Sequence, residues 1–282
     1  MKLSLRTHLM RAATLVPHDR VLERHAALRA RPGVGALVGA AERWYARGVV
    51  AFSPVVGAEL LLDASTAPIT HVQVGDLVRG ELETPVQEAF RRRLTAGDVV
   101  FDVGANVGFL SLVAGAIVGP SGRVVSWEPV PASADAIRRN AAVNRMDWVE
   151  VREAAVGAEP GTQTLLEVDE QSWSHLADRG RHPRTNVERA VRVEALDPLV
   201  ASGELPPPRL VKIDVEGSEV AVLPGMRRIL EEHRPDLVVE LHATNDEVAD
   251  ILEPLGYALE NLDGPAPIRE AGPVHVLATP RS

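Results

Sequence analysis

Several residue types are scarce or missing in this chain of 282 residues, and each absence excludes a class of site. There is no cysteine, so disulfides, thiolate zinc ligands and thiol nucleophiles are excluded. A cysteine-free chain fits a cytoplasmic protein, which we therefore expect. The net charge is −9 and the basic residues form no stripe, so we expect no nucleic-acid partner. Lysine occurs only at positions 2 and 212, which makes Lys212 conspicuous inside an apolar segment.

Long hydrophobic segments are also missing. The N-terminal stretch is interrupted by Arg6 and Arg11, so we expect no signal peptide. Residues 103–122 carry no charge and are long enough to span a bilayer, but they contain Pro120 and five glycines. We therefore expect a buried helical connection there and no membrane span.

Two regions differ in pattern. Residues 1–80 read as an N-terminal extension, helical over 1–48 and β-like over 49–79. Residues 81–282 read as one domain in which short apolar runs alternate with helical stretches. The predicted strands are 98–103, 123–127, 149–153, 209–214, 236–241, 256–260 and 274–278. The predicted helices are 84–94, 107–118, 131–144, 218–233 and 245–254.

This alternation predicts an α/β fold of the Rossmann-like kind, with a mostly parallel seven-stranded sheet and helices on both of its faces. Residues 155–197 interrupt the rhythm and read as an insertion. Within it we expect short strands at 163–168 and 190–194, flanking a polar loop.

Acidic residues stand at four of the predicted strand ends. Asp102, Glu128, Asp214 and Glu240 each lie at or just beyond an apolar run, and His242 follows the last of them. Ligands of open parallel sheets bind at the carboxyl ends of the strands, near the point where the strand order reverses. These side chains are therefore the candidates for a binding site.

The loop after the first of these strands reads D-V-G-A-N-V-G and differs from a dinucleotide-binding fingerprint. Asp102 would repel a pyrophosphate but would attract a cation. S-adenosylmethionine (SAM) fits, since Asp102 can bind its ammonium group and Glu128 its ribose hydroxyls. The glycines would let the methionine part approach the backbone. Two simpler interpretations stay open: Asp102 caps the next helix, and Glu128 is only a strand end.

Four segments, FDVGANVGFLSL, SWEP, VKIDVEGSEVAVLPG and VVELH, resemble the FkbM family of SAM-dependent methyltransferases. The resemblance covers residues 80–260 and implies a class I methyltransferase fold and O-methylation of sugars or natural products. It also implies that the glycine loop binds the methionine part, Glu128 the ribose, and Glu83 the amino-acid end. The predicted cofactor contacts are Glu83, Asp102, Gly104, Asn106, Gly108, Glu128 and Ala155.

Transfer to a hydroxyl requires a group that accepts its proton. Asp214 is the first candidate for this base and His242 the second, and Glu240 points to the same side as His242 by strand parity. Lys212 shares a strand face with Asp214, and a buried lysine needs a partner, so we predict an ion pair with Asp102 or Glu240. Thr244-x-x-Glu247 reads as a helix capping box without a functional role.

The metal requirement and the reaction class both stay open. Asp214, Glu240 and His242 could bind a divalent metal, but magnesium prefers oxygen ligands, so we favour a site without a metal. The predicted function is a SAM-dependent O-methyltransferase whose partner is a small hydroxylated acceptor. The competing functions are a protein-directed methyltransferase, a SAM-binding protein without activity, and an NAD-dependent oxidoreductase. Neither the acceptor nor the oligomeric state can be predicted from these residues.

Overall fold

The computed structural model describes residues 49–52, 54, 57, 60–63, 80–168, 175–176 and 185–281. The chain divides into two compact units, Met1–Thr84 and Pro85–Ser282. In the first unit, strands β1 (Val49–Phe52) and β2 (Leu60–Asp63) pair antiparallel. The helices predicted over 1–48 lie outside the described residues.

The regular elements that follow match the predicted alternation. The strands are β3 (Val99–Val103), β4 (Arg123–Trp127), β5 (Val149–Arg152), β6 (Ala155–Val156), β7 (Gly161–Val168), β8 (His175–Leu176), β9 (Thr185–Glu194), β10 (Leu210–Ile213), β11 (Asp236–Leu241), β12 (Tyr257–Asn261) and β13 (Val274–Pro280). The α-helices are α1 (Thr84–Arg93), α2 (Phe109–Val118), α3 (Pro131–Val143), α4 (Leu196–Ala201), α5 (Glu219–Val222) and α6 (Asn245–Leu252).

Seven strands form the central sheet in the order β12-β13-β11-β10-β3-β4-β5. All neighbours from β11 to β5 pair parallel, and β13 pairs antiparallel with both of its neighbours. The predicted mostly parallel seven-stranded sheet is therefore confirmed. The chain runs outward from β3 through β5 and then resumes at β10 on the other side of β3. The strand order thus reverses between β3 and β10, where a ligand site is expected.

The core lies on the faces of this sheet because its strands are apolar on both sides. Phe101 and Trp127, on neighbouring strands, are fully buried and meet edge to face with ring centroids 5.1 Å apart. The indole Nε1 of Trp127 donates to Glu194 Oε2 at 2.8 Å, so its one polar atom is satisfied. At the opposite end of the sheet, Arg93 of α1 holds the buried Asp236 through two hydrogen bonds of 2.8 and 2.7 Å.

The insertion forms a second sheet in the order β6-β9-β7-β8. Its main strands are longer than the short ones we predicted, because β7 and β9 pair antiparallel from Gly161↔Val193 to Val168↔Thr185. Alternating polar residues hid their length in the sequence. The polar loop lies largely outside the described residues.

The segment predicted as a helix over 218–233 is helical from Glu219 to His233, but it is not a uniform α-helix. It contains α5, a 3₁₀ helix at Leu223–Met226 and a π-helix at Ile229–His233. Pro224 lacks an amide donor for the helix, and Gly225 packs directly on the backbone of Gly157, where any Cβ would collide with the carbonyl oxygen. This close approach fixes the local path of the chain.

The uncharged run 103–122 forms the end of β3, a loop and the ten-residue helix α2. That helix is buried along most of its length, as expected for a connection that covers a parallel sheet. In the part of the chain that the structure describes, no helix combines the length and apolar content that crossing a membrane requires.

Candidate cofactor and acceptor site

The loop between β3 and α2 adopts a backbone conformation that depends on its glycines. Gly104 and Gly108 have φ angles of 77° and 85°, in the left-handed region that favours glycine. A Cβ on Gly104 would collide with the carbonyl oxygen of Asp214, and one on Gly108 would lie 2.9 Å from Ile137 Cγ2. Both glycines are thus required by contacts within the protein. Their predicted contact with a cofactor stays a prediction.

Asp102 lies near the carboxyl end of β3, a strand in the middle of the sheet, and is 1% exposed. Ser111 of α2 donates to its Oδ2 at 2.5 Å. Lys212 is the register partner of Asp102 on β10, and its Nζ lies 3.4 Å from Oδ1. The same Nζ lies 3.3 Å from Asp214 Oδ2 and donates to Gly104 O at 2.9 Å. The predicted ion pair between Lys212 and Asp102 is therefore confirmed.

Glu128 follows β4 and is buried, at 6% exposure. Its Oε2 accepts the amide of Asn106 at 2.9 Å, and its Oε1 accepts the amide of Val130 at 2.8 Å. Burial raises the pKa of Glu128 to about 7, against the lowering effect of these two hydrogen bonds. Each carboxylate oxygen can accept further hydrogen bonds, so Glu128 retains capacity for ligand hydroxyls.

Two buried acceptors beside this loop make no hydrogen bond, although Lys212 Nζ lies 3.4 Å from one of them, Asp102 Oδ1. Asp102 Oδ1 and Asn106 Oδ1 have no hydrogen-bond donor among the residues that the structure describes. A buried acceptor without a donor costs free energy, and such atoms are rare unless a ligand or water serves them. Both atoms need donors, so the chemistry here suits an ammonium or hydroxyl group and not a phosphate.

The remaining two predicted cofactor contacts have different surroundings. Ala155 begins β6 and lies in a buried apolar cluster with Val130, which follows Glu128 closely. Glu83 belongs to the unit Met1–Thr84 and has a left-handed backbone, with φ of 50°. The cofactor role of both residues stays a prediction.

Asp214 follows β10 directly and leads into a second group of ionisable side chains. The side-chain atoms of Asp214, Glu240 and His242 that could bind a metal ion all lie within 4.8 Å of one another. Burial raises the pKa of Asp214, Lys212 lowers it, and the Glu240 carboxylate raises it, with a net upward shift. The structure thus brings together the three predicted catalytic residues at the end of β10 and β11. This spacing would also suit a divalent metal.

His242 lies in a cage of carboxylates. Its Nδ1 is 3.0 Å from Glu219 Oε1, and its Nε2 is 3.4 Å from Glu240 Oε1 and 3.5 Å from Glu216 Oε2. Burial lowers the pKa of His242, but the contacts with Glu219 and Glu240 outweigh it and raise the pKa to about 11. A raised pKa favours the protonated ring, which is a poor proton acceptor.

The predicted capping box at Thr244 is wrong. Thr244 stands at the N-cap position of α6, but its side chain makes no cap hydrogen bond. Its hydroxyl instead donates to Glu219 Oε2 at 2.8 Å. A pattern of residues three apart cannot reveal that a side chain turns toward another element, so the local signal pointed to the wrong partner.

Three further residues of this candidate site were given no role from the sequence: Glu216, Glu219 and His275. Burial and, next in size, the neighbouring Asp214 carboxylate raise the pKa of Glu216 to about 7. His275 is the register partner of Glu240 on the antiparallel strand β13, and its Nε2 lies 3.5 Å from Glu240 Oε2. The available signal for the two glutamates was the segment KIDVEGSE itself, which contains both.

A family model described as the methyltransferase FkbM domain matches residues 102–260, more than half of the chain. The hexuronic acid methyltransferase AglP of Haloferax volcanii is 31% identical over 159 residues, or 53% of this chain and 58% of that protein. The 31-O-demethyl-FK506 methyltransferase FkbM of Streptomyces tacrolimicus is 27% identical over 254 residues, or 77% of this chain and 94% of that protein.

Among solved structures, a methyltransferase FkbM from Methylobacillus flagellatus has a TM-score of 0.46 and 17% identity, covering 74% of this chain and 54% of that one. In that match and in the one with AglP, the chain spans little more than half the length of its relative. The family match contains the glycine loop, Glu128 and the group around Asp214. The chain belongs to the FkbM family of SAM-dependent methyltransferases.

Proposed function

We propose that this protein is a SAM-dependent O-methyltransferase that transfers a methyl group to a hydroxyl of a small molecule, a sugar or a natural product. The observation that carries the proposal is the set of acceptors at the reversal of strand order. Asp102, Asn106 and Glu128 offer oxygen atoms to a donor-bearing ligand, and Asp214 lies on the adjacent strand end.

The residues present fit SAM. Asp102 Oδ1 and Asn106 Oδ1 are buried acceptors in need of donors, and an ammonium group supplies them. Glu128 has free acceptor capacity for the two ribose hydroxyls. Asp102, at the start of the glycine loop, would repel a pyrophosphate, which disfavours an NAD-dependent oxidoreductase. When bound, SAM supplies a methyl group on a sulfonium, already activated for in-line transfer to an acceptor oxygen.

Asp214 is the residue we assign as the base. Its raised pKa makes it a better proton acceptor than an ordinary aspartate near neutral pH. The Asp214 carboxylate would hold the acceptor hydroxyl and take up its proton, while the methyl group would come from SAM. Lys212 stays paired with Asp102 and Asp214 and orients both carboxylates.

The acidic surroundings of Asp214 favour an uncharged acceptor. Glu216 and Glu240 both lie within 3.5 Å of His242, and all three side chains are partly exposed, at 22% to 30%. A carboxylate on the acceptor would meet like charges here. The relative AglP is named for a hexuronic acid, whereas we propose a neutral sugar or natural product for this chain.

A divalent metal at Asp214, Glu240 and His242 is the less favoured arrangement. Both nitrogens of His242 face carboxylates, and a metal would require one of them to be unprotonated. Two competing functions are methylation of a protein acceptor and SAM binding without activity. A methylated protein would be detected with the same radiolabelled methyl donor.

The test is methyl transfer from radiolabelled SAM to a matched pair of acceptors, a methyl hexoside and the corresponding methyl hexuronide. We expect transfer to the neutral member and about 10-fold or lower kcat/KM for the acid, a difference of about 1.4 kcal/mol. Preference for the hexuronide would contradict the proposed acceptor. Transfer to neither, nor to any member of a broader set of polyols and peptides, would favour a SAM-binding protein without activity.

The variant Asp214→Asn tests the assignment of the base, because it keeps the shape of the side chain but removes its charge. We expect kcat to fall by about 10²- to 10⁴-fold, the usual contribution of a general base, with S-adenosylhomocysteine binding retained. Unchanged kcat in this variant would show that another group accepts the proton. Assaying the wild type after EDTA treatment tests the metal arrangement in the same experiment.

A further inference from the structure

Ser111 connects the two ends of the glycine loop. It lies on α2, nine residues after Asp102 of β3, and its Oγ donates to Asp102 Oδ2 at 2.5 Å. The hydroxyl of Ser126 on β4 lies 2.8 Å from the same Oγ. All three side chains are buried, and both serines are 0% exposed. Hydrogen bonds of this kind are strong in the interior, because water does not compete for the hydroxyl or the carboxylate.

The number of available protons fixes the direction of these bonds. Ser111 carries a single hydroxyl proton, and an ionised carboxylate can only accept, so this proton is donated to Asp102. Ser126 must then donate to Ser111, whose oxygen has only acceptor capacity left. The result is a chain of two hydrogen bonds, from Ser126 to Ser111 to Asp102, that ends on one carboxylate oxygen.

The chain of hydrogen bonds lies on one face of the central sheet. Asp102 is the register partner of Ser126 on β4 and of Lys212 on β10, so these three side chains point to the same face. Ser111 reaches that face from α2, which packs on β3 and β4. Lys212 Nζ lies 3.4 Å from Asp102 Oδ1, on the other side of the carboxylate. The carboxylate therefore cannot rotate without losing a contact on one side.

This arrangement leaves one oxygen of Asp102 for a ligand. Oδ2 accepts from Ser111, whereas Oδ1 is buried and has no hydrogen-bond donor among the residues that the structure describes. A carboxylate that turned freely could present either oxygen to a ligand. With Oδ2 held by Ser111, the oxygen presented is Oδ1.

We propose, as a refinement that rests on the proposed binding of SAM, that Ser111 and Ser126 are positioning residues for Asp102. They hold Oδ2 so that Oδ1 faces the ammonium group of the cofactor. The bond from Ser111 to Asp102 also closes the loop that contains Gly104 and Gly108, and so holds this loop in the shape that receives the methionine part.

Two ligands that differ by one amino group test the proposal. They are S-adenosylhomocysteine and its analogue in which hydrogen replaces the α-amino group, each titrated calorimetrically into the full chain. We expect the wild type to prefer S-adenosylhomocysteine and Ser111→Ala to lower this preference by about 10-fold, within the range of couplings between groups in contact. Ser126→Ala should lower it by less, because the direct bond to Asp102 remains.

Thr244→Val is the matched control. Like Ser111, Thr244 is 0% exposed and its hydroxyl donates to a carboxylate, Glu219 Oε2, at 2.8 Å. This control should keep the wild-type preference. In an Asp102→Asn background, adding Ser111→Ala should not change the preference, because the serine acts through that carboxylate. An effect of Ser111→Ala that persists in this background, or a wild-type preference in both serine variants, would overturn the proposal.

Hydrogen exchange of the ligand-free protein tests the closure of the loop. The amides of Gly104 and Ala105 both donate to Trp127 O at 3.0 Å, so their exchange reports on opening of the loop. We expect this exchange to be about 10-fold faster in Ser111→Ala, the equivalent of one lost hydrogen bond, while the amides of α6 keep their wild-type rates. Equal exchange of the loop in both proteins would contradict its closure by Ser111.

The two proposals fail in different ways. A folded wild type that does not bind S-adenosylhomocysteine would contradict the proposed function, whereas the exchange measurement needs no ligand. A wild type that prefers S-adenosylhomocysteine, with the same preference in Ser111→Ala, would overturn this inference alone. If Ser111→Ala does not fold, Ser126→Ala carries both measurements, and wild-type preference and exchange in that variant would overturn the proposal.

Discussion

Asp102 is the residue at which the sheet core and the candidate site meet. One oxygen of its carboxylate accepts from Ser111, and the other lies 3.4 Å from Lys212 without a hydrogen-bond donor among the described residues. In the sequence, the acid before the glycine loop, taken together with the acids at the other strand ends, predicted a cationic ligand. The role of Lys212 in orienting this acid followed from its rarity and its strand parity with Asp214.

Replacing Lys212 tests whether this buried cation stabilises the strand ends. Lys212→Met leaves Asp102 and Asp214 without their shared partner, so we expect the free energy of unfolding to fall by about 3–5 kcal/mol. Urea denaturation measures this. The control Arg92→Met removes an exposed pair with Glu260 and should cost no more than about 1 kcal/mol. A loss for Lys212→Met as small as that of the control would contradict this role.

The raised pKa of Glu128 predicts how the stability of the protein depends on pH. Its pKa is about 7 in the folded protein because of burial, against an ordinary value of 4.5. Between these values the folded state retains a proton that the unfolded chain has lost, so Glu128 makes the free energy of unfolding fall as pH rises from about 4.5 to about 7.

Glu128→Gln lacks this titration. As the pH rises over that range, the wild type should therefore lose about 3 kcal/mol of unfolding free energy relative to the variant. Urea denaturation of both proteins at a series of pH values measures the difference, in which the other ionisable groups cancel. A difference that stays constant, or that moves in favour of the wild type with rising pH, would show that burial does not raise this pKa.

At the scale of elements, the sheet could be predicted because its strands are apolar runs bounded by charged or glycine residues. β4 and β11 begin and end at the predicted residues. The change of helix type within 218–233 was not predicted, because helical periodicity continues through Pro224 and Gly225. Pro224 is visible in the sequence, but the close contact of Gly225 with Gly157, which lies more than sixty residues earlier in the chain, is not.

Replacing Gly225 tests whether its contact with Gly157 restricts the path of the chain. In Gly225→Ala the new methyl group would collide with the Gly157 backbone, which cannot move as a flexible side chain can. We expect the free energy of unfolding to fall by about 1–3 kcal/mol, as in other overpacked sites. Gly272→Ala adds a methyl group in open space and should stay within about 0.5 kcal/mol of the wild type. Equal stability of both variants would show that the contact with Gly157 does not constrain position 225.

The whole molecule combines a recognisable domain with regions of weak sequence signal. The acids at the strand ends predicted the place of the candidate site, since parallel strands bring their carboxyl ends to one edge. No role was predicted for Glu216 and Glu219, because their contacts depend on the left-handed turn at Glu216 and on a threonine from another element. We expect acceptor specificity to reside in residues 1–80 and 155–197, which carry no readable motif.

Calorimetric titration of the full chain with S-adenosylhomocysteine and, separately, with NAD tests the central claim most directly. The account predicts saturable binding of S-adenosylhomocysteine, weakened in Glu128→Gln because one ribose acceptor is lost, and no binding of NAD. Circular dichroism confirms that each sample is folded. A folded wild-type protein that binds NAD, or that fails to bind S-adenosylhomocysteine, would contradict the account.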